Sequence, residues 1–88
     1  MQGVDSHYGP ACHAVRVMWG ANGQASATVE LMDDRGGVLS QTDVPGIRQS
    51  AVLYVPRTYR GGVTVQVVSV GASGERVTQS MSLPACSH

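Results

Sequence analysis

Two short segments hold the most reactive side chains of this 88-residue sequence: Cys12-His13 and Cys86-Ser87-His88. Two thiolates and two imidazoles are a donor set that binds zinc tetrahedrally. The spacing opposes such a site. Adjacent residues on an extended segment point to opposite sides, and zinc motifs normally leave two or more residues between paired ligands. The same cysteines could instead remain free thiols or form a disulfide. In a small chain otherwise free of Cys, a Cys12–Cys86 disulfide is the expected state. Closing the loop from residue 12 to residue 86 would remove about 4.4 kcal/mol of unfolded-state freedom in the chain-entropy model. In a domain with a total stability of about 5–15 kcal/mol, that contribution decides whether it folds. The compartment implied is oxidising: periplasm, cell surface, extracellular medium or virion. His7, His13 and His88 read as ordinary exposed residues near the termini.

Catalysis finds little support. A hydrolase needs a nucleophile, a base and an orienting group, and nine Ser, three His and four Asp are available in principle. No spacing joins them, and no Gly-x-Ser-x-Gly elbow is present. The absence of Lys removes Schiff-base chemistry, and no Gly-rich loop leads into a helix to cradle a phosphate. Asp33-Asp34 resembles a carboxylate pair or a calcium ligand pair. The following Arg35-Gly36-Gly37 makes it a hairpin turn instead, since Asp and Gly are what such turns require. The expectation is a protein without catalytic residues, metal or cofactor. Six Arg balance six acidic residues, so no basic field exists to hold a nucleic-acid backbone. No window approaches the roughly 18–20 apolar residues of a membrane span, so a soluble chain is expected. Residues 1–6 show neither a basic nor an apolar signal region.

The elements that must position these residues are strands. Fourteen Val stand against four Leu, one Ile and no Phe, with eleven Gly and four Pro as punctuation. That is a β vocabulary. Intervals free of Gly and Pro fall at 11–19, 24–35, 38–44, 47–55, 63–70 and 75–83. All but one are nine residues or fewer, which suits strands and is short for helices. Val15, Val17 and Trp19 alternate with Arg16 and Met18, Ala27, Val29 and Leu31 alternate with Thr28 and Glu30, and Val63, Val65 and Val67 share one face. The 63–70 run is the strongest β signal and belongs in the middle of a sheet. Val77, Met81 and Leu83 share a face of the last strand. In 50–55 the core face is open between Ala51/Leu53/Val55 and Val52/Tyr54. Residues 1–11 show little alternation, and an irregular segment or a short first strand is expected there. The whole chain, 1–88, reads as one small antiparallel β-sandwich of six to seven strands.

Val15-Arg16-Val17-Met18-Trp19 resembles the second strand of fibronectin type III and related immunoglobulin-like sandwiches. Val63-Thr64-Val65-Gln66-Val67 and the Gly-containing turn after Val70 are similar to that family's sixth strand and following hairpin. The resemblance departs where the family places a Tyr at the start of the sixth strand: Val63 stands there, and Tyr59 falls four residues early. It implies that the second and seventh strands run antiparallel, bringing Cys12 and Cys86 to one pole of the sandwich. The turn at 33–37 and the loop at 56–62 would join them, gathering Arg35, Arg57, Tyr59 and Arg60 as a candidate partner-binding surface. Tyr and Arg are the types most enriched at interface hot spots. The opposing reading makes the arginines solvated and Tyr59 a cap on the core. The other pole would carry loops 20–23, 44–49 and 71–74. Open strand edges without Lys allow strand addition by a partner or a second copy, with Arg16 and Glu30 as partial guards. The functional expectation is a non-enzymatic binding or structural module of an exported bacterial or phage protein. It would contact another protein or a scaffold in a cell-envelope, secreted or virion assembly. A small secreted ligand-binding protein or inhibitor is the alternative, and a Cys/His metal-binding domain the second.

Overall fold

The structure, a computed structural model, describes residues 3–86. Seven strands follow in order: β1 (Val4–Tyr8), β2 (Ala14–Trp19), β3 (Gln24–Met32), β4 (Val38–Pro45), β5 (Ser50–Tyr54), β6 (Val63–Gly71) and β7 (Arg76–Leu83). They build a three-stranded antiparallel sheet, β1-β2-β5, and a four-stranded one, β4-β3-β6-β7. The two sheets close on each other as an all-β sandwich, and one disulfide joins Cys12 to Cys86.

Alternation decides which side chains meet between the sheets. Val15, Val17 and Trp19 of β2 are buried, as are Ala27, Val29 and Leu31 of β3 and Val63, Val65 and Val67 of β6. Val44 and Leu53 complete this core. In the central pair β3–β6, Val29 faces Val67 and Leu31 faces Val65. Branched side chains packed in that way suit a pleated surface, which is how a chain without Phe fills its interior. As expected from its run of Val, β6 lies inside its sheet, between β3 and β7.

The register settles β5. Val15 pairs with Leu53 and Val17 with Ala51, so Leu53 is buried while Val52 and Tyr54 stand 45% and 69% exposed. Residues 1–11 are not irregular throughout: β1 pairs with β2 along its whole length, from Val4 opposite Trp19 to Tyr8 opposite Val15. Its apolar period was hidden because a small polar residue, Ser6, holds the middle inward position. That hydroxyl is buried and donates to Met81 Sδ at 3.2 Å, drawing β1 toward β7. Val77 shares the inward face of β7 but stays 39% exposed near the strand's start. β4 runs on through Pro45, which an edge strand tolerates because no further ladder needs its missing N–H. Arg16 and Glu30 do not guard edges, since β2 and β3 both lie inside their sheets. The exposed edges are β1 and β5 in one sheet, β4 and β7 in the other.

Candidate binding pocket at the disulfide pole

Cys12 sits in the turn between β1 and β2, where its N–H donates to Gly9 O at 3.1 Å and Gly9 N–H donates to Ala14 O at 2.8 Å. The turn holds Cys12 at a φ of 58°, the left-handed region that a residue with a Cβ seldom enters. Cys86 follows β7, with a Cα–Cα distance of 5.9 Å to Cys12, within the range a disulfide spans. Because Cys12 borders the three-stranded sheet and Cys86 the four-stranded one, the bond fastens sheet to sheet.

The loop at 56–62 folds over the same pole. Its anchor is Tyr59, whose ring packs half-buried against the core. The Tyr59 hydroxyl accepts from Asp34 N–H at 3.0 Å and donates to Gly62 O at 2.6 Å. A Cβ on Gly61 would stand 2.6 Å from that oxygen, so the ring and the glycine fit only together. The neighbouring turn is capped by Asp33, whose Oδ1 accepts from Arg35 N–H at 2.8 Å and Gly37 N–H at 2.7 Å. Gly36, at a φ of 84°, supplies the left-handed step. Asp33 is therefore a turn cap, as the Asp-Gly composition indicates.

Between these parts lies a cavity of about 190 Å³, lined by Tyr8, His13, Arg57, Tyr59 and Arg60 beside the disulfide. Among the described residues no carboxylate lines it, and the charged side chains of its wall are Arg57 and Arg60, with the Asp34 carboxylate close behind Gly61. Tyr8 donates to Pro84 O at 2.8 Å. Burial pushes its phenol above the ordinary tyrosine value, and the neighbouring Tyr59 adds to the rise.

The structure thus brings Arg57, Tyr59 and Arg60 together with Cys12 and Cys86. Arg35 is exposed on the adjoining turn and does not line the cavity. His13, read in the sequence as an ordinary exposed residue beside Cys12, is exposed and does line it, and Tyr8 joins it although nothing in the sequence marked Tyr8 for this place. The zinc reading loses both sulfur donors to the disulfide. Ser87 and His88 lie outside the described residues. Among those described, no group of three His, Cys, Asp or Glu side chains is placed to hold a metal ion.

The opposite pole is knit by glutamines. Trp19 Nε1 donates to Gln24 Oε1 at 2.8 Å, and Gln24 Nε2 donates to Gly46 O and Arg48 O at 2.9 and 2.6 Å. Gln49 and Gln79 donate to Ala21 O and Gly20 O at 2.6 and 3.1 Å. These bonds place loops 20–23 and 44–49 together, as the resemblance implies.

No family model matches the chain, and no curated protein matches it either. Among solved structures, CopC from Methylosinus trichosporium OB3b is similar, with a TM-score of 0.58 and 14% identity over 96% of this chain and 92% of that one. At that identity the likeness is one of fold, a β-sandwich across nearly the whole length. It supports the sandwich and does not single out the fibronectin or immunoglobulin family.

Proposed function

We propose that this protein is an exported, non-enzymatic binding module that receives an anionic group of a partner protein at its disulfide pole. The observation that carries the reading is the pocket beside Cys12–Cys86, where Arg57, Arg60 and His13 line one cavity without a described carboxylate among them. Carboxylates are the common protein anions, and a guanidinium presents paired N–H donors that match them. At about 190 Å³ the cavity is below the roughly 300–1,000 Å³ of small-molecule sites, which favours one side chain or chain terminus over a whole free ligand. The disulfide favours an oxidising compartment, and so a place in a cell-envelope, secreted or virion assembly.

The test is a heteronuclear NMR titration with a triglutamate peptide, using trilysine as the control. Triglutamate should shift the amides of His13, Arg57 and Gly61, with an affinity that weakens as salt screens the exposed arginines. Trilysine should not. In a protein carrying both Arg57→Ala and Arg60→Ala, the shifts should vanish while the fold is kept. Unchanged spectra with triglutamate, or shifts that survive the double substitution, would remove the proposal.

A further inference from the structure

Of the four strand edges, three carry their own obstruction. β4 contains Asp43 and Pro45 and a register shift at Leu31/Met32 of its neighbour. β1 carries Asp5 and His7, and β7 begins with Arg76 and touches β1 across the sandwich. β5 carries none. Its sequence Ser50-Ala51-Val52-Leu53-Tyr54 has no charge, no Pro and no Gly. Charged residues and Pro are the usual means of preventing edge pairing.

The bonds to β2 show which groups of β5 are unused. Val55 N–H donates to His13 O and Trp19 N–H to Gln49 O, so the odd-numbered residues between them turn their backbone toward β2. Ser50, Val52 and Tyr54 therefore turn their N–H and C=O groups outward along the free edge. Their side chains lie on the outer face of the sheet, where Val52 is 45% and Tyr54 69% exposed. On that face, next to the edge, runs a groove of about 490 Å³ lined by Arg16, Met18, Arg48, Ser50 and Val52.

We infer that β5 is a self-pairing edge, through which two copies of this chain join antiparallel about a two-fold axis at Val52. In that register Val52 faces Val52 of the second copy and Ser50 faces its Tyr54, and each facing pair exchanges both backbone hydrogen bonds. A two-fold at Ala51 or Leu53 would pair fewer of the outward groups. Facing residues on paired strands share a face of the sheet. Tyr54 of the second copy consequently lies over the groove beside Ser50, within reach of Met18 and of the Arg16 and Arg48 guanidiniums, which stack well on a phenol ring. The Arg16 backbone positions of the two copies stand three strand spacings apart, about 14 Å, with Val52 of each copy between them. Only three facing residue pairs form the contact, so the association is reversible and weak.

Sedimentation velocity over a concentration series up to about 1 mM, with hydrogen exchange of the Val52 amide, tests the inference. The expected result is a monomer–dimer equilibrium, with the Val52 amide protected as concentration rises. Val52→Pro removes an outward N–H that the monomer does not use, and Tyr54→Ala removes a side chain that the monomer leaves in water. Both should lose the dimer at an unchanged unfolding midpoint, and Tyr54→Ala keeps the test open if proline disturbs the strand. A wild type that stays monomeric throughout overturns the inference. So does a dimer that persists in both variants, or a monomer whose β5 edge is taken up only by the strand of a different protein.

Discussion

Tyr8 and Tyr59 line the same pocket, and each phenol is engaged by backbone: Tyr8 with Pro84, Tyr59 with Asp34 and Gly62. Arg57 and Arg60 are exposed beside them. Half-buried tyrosines thus shape the cavity, and its charge comes from the residues around them. The raised pKa of Tyr8, set first by burial and then by Tyr59, gives a signed prediction. An unfolded tyrosine titrates near 10, so the native state holds this proton where the unfolded chain has released it. The stabilisation is fully present below about pH 10 and is lost as pH rises through the higher native value. Urea-unfolding free energies measured from about pH 9 to pH 12 should fall more steeply in the wild type than in Tyr8→Phe. Parallel curves would show that the phenol is not coupled to folding.

At the scale of elements, the buried polar groups of the glutamine pole fix how the strands are joined. Gln24 begins β3, receives the indole N–H of Trp19 at the end of β2 and donates to two carbonyls of the β4–β5 connection. One side chain therefore ties two connections to the core. Gln24→Ala would leave these groups without partners, each costing about 1–3 kcal/mol when buried. The expected loss is roughly 2–4 kcal/mol in urea unfolding, because part of the site is open to water. Trp19 is the single Trp of the chain, so its emission should shift to the red in the same variant. An unchanged midpoint would show that water replaces Gln24 without loss. The strands themselves were largely legible in sequence. Alternation marked the core faces of β2, β3 and β6, while β1 was obscured by Ser6 and the β5 face stayed open until its register with β2 was known.

For the whole molecule, the disulfide sets the margin of stability. It joins residues 74 apart and crosses from one sheet to the other. A core of mostly Val, without Phe, gives each strand less apolar surface to bury than larger side chains would. Replacing Cys12 and Cys86 by Ser should lower the unfolding free energy by about 4 kcal/mol, a large part of what a domain of this size holds. Equilibrium urea unfolding of the double variant, compared with the oxidised wild type, measures it. A change below about 1 kcal/mol would mean that the sandwich closes without the bond.

By itself the sequence determined the class of fold, which rests on local rules, and it made a Cys12–Cys86 disulfide the expected state. Val alternation and Gly/Pro spacing restrict the chain to short strands, and two cysteines in a small chain have few stable fates. It also placed Arg57, Tyr59 and Arg60 at the disulfide pole, through the strand order that the family resemblance implied. What only the tertiary structure decided was which of the neighbouring residues share a cavity. Tyr8 and His13 entered it and Arg35 did not, because the β1–β2 turn and the loop at 56–62 fold toward each other, while the 33–37 turn meets that loop through the Asp34 N–H and leaves Arg35 exposed outside the cavity. The edges were decided the same way. Arg16 and Glu30 look like guards in sequence, but hydrogen bonding across the sheets puts them on interior strands and leaves β5 uncharged at the rim. Strand character is written in side chains two residues apart, whereas strand order depends on contacts between segments tens of residues distant, and only the folded chain brings those together.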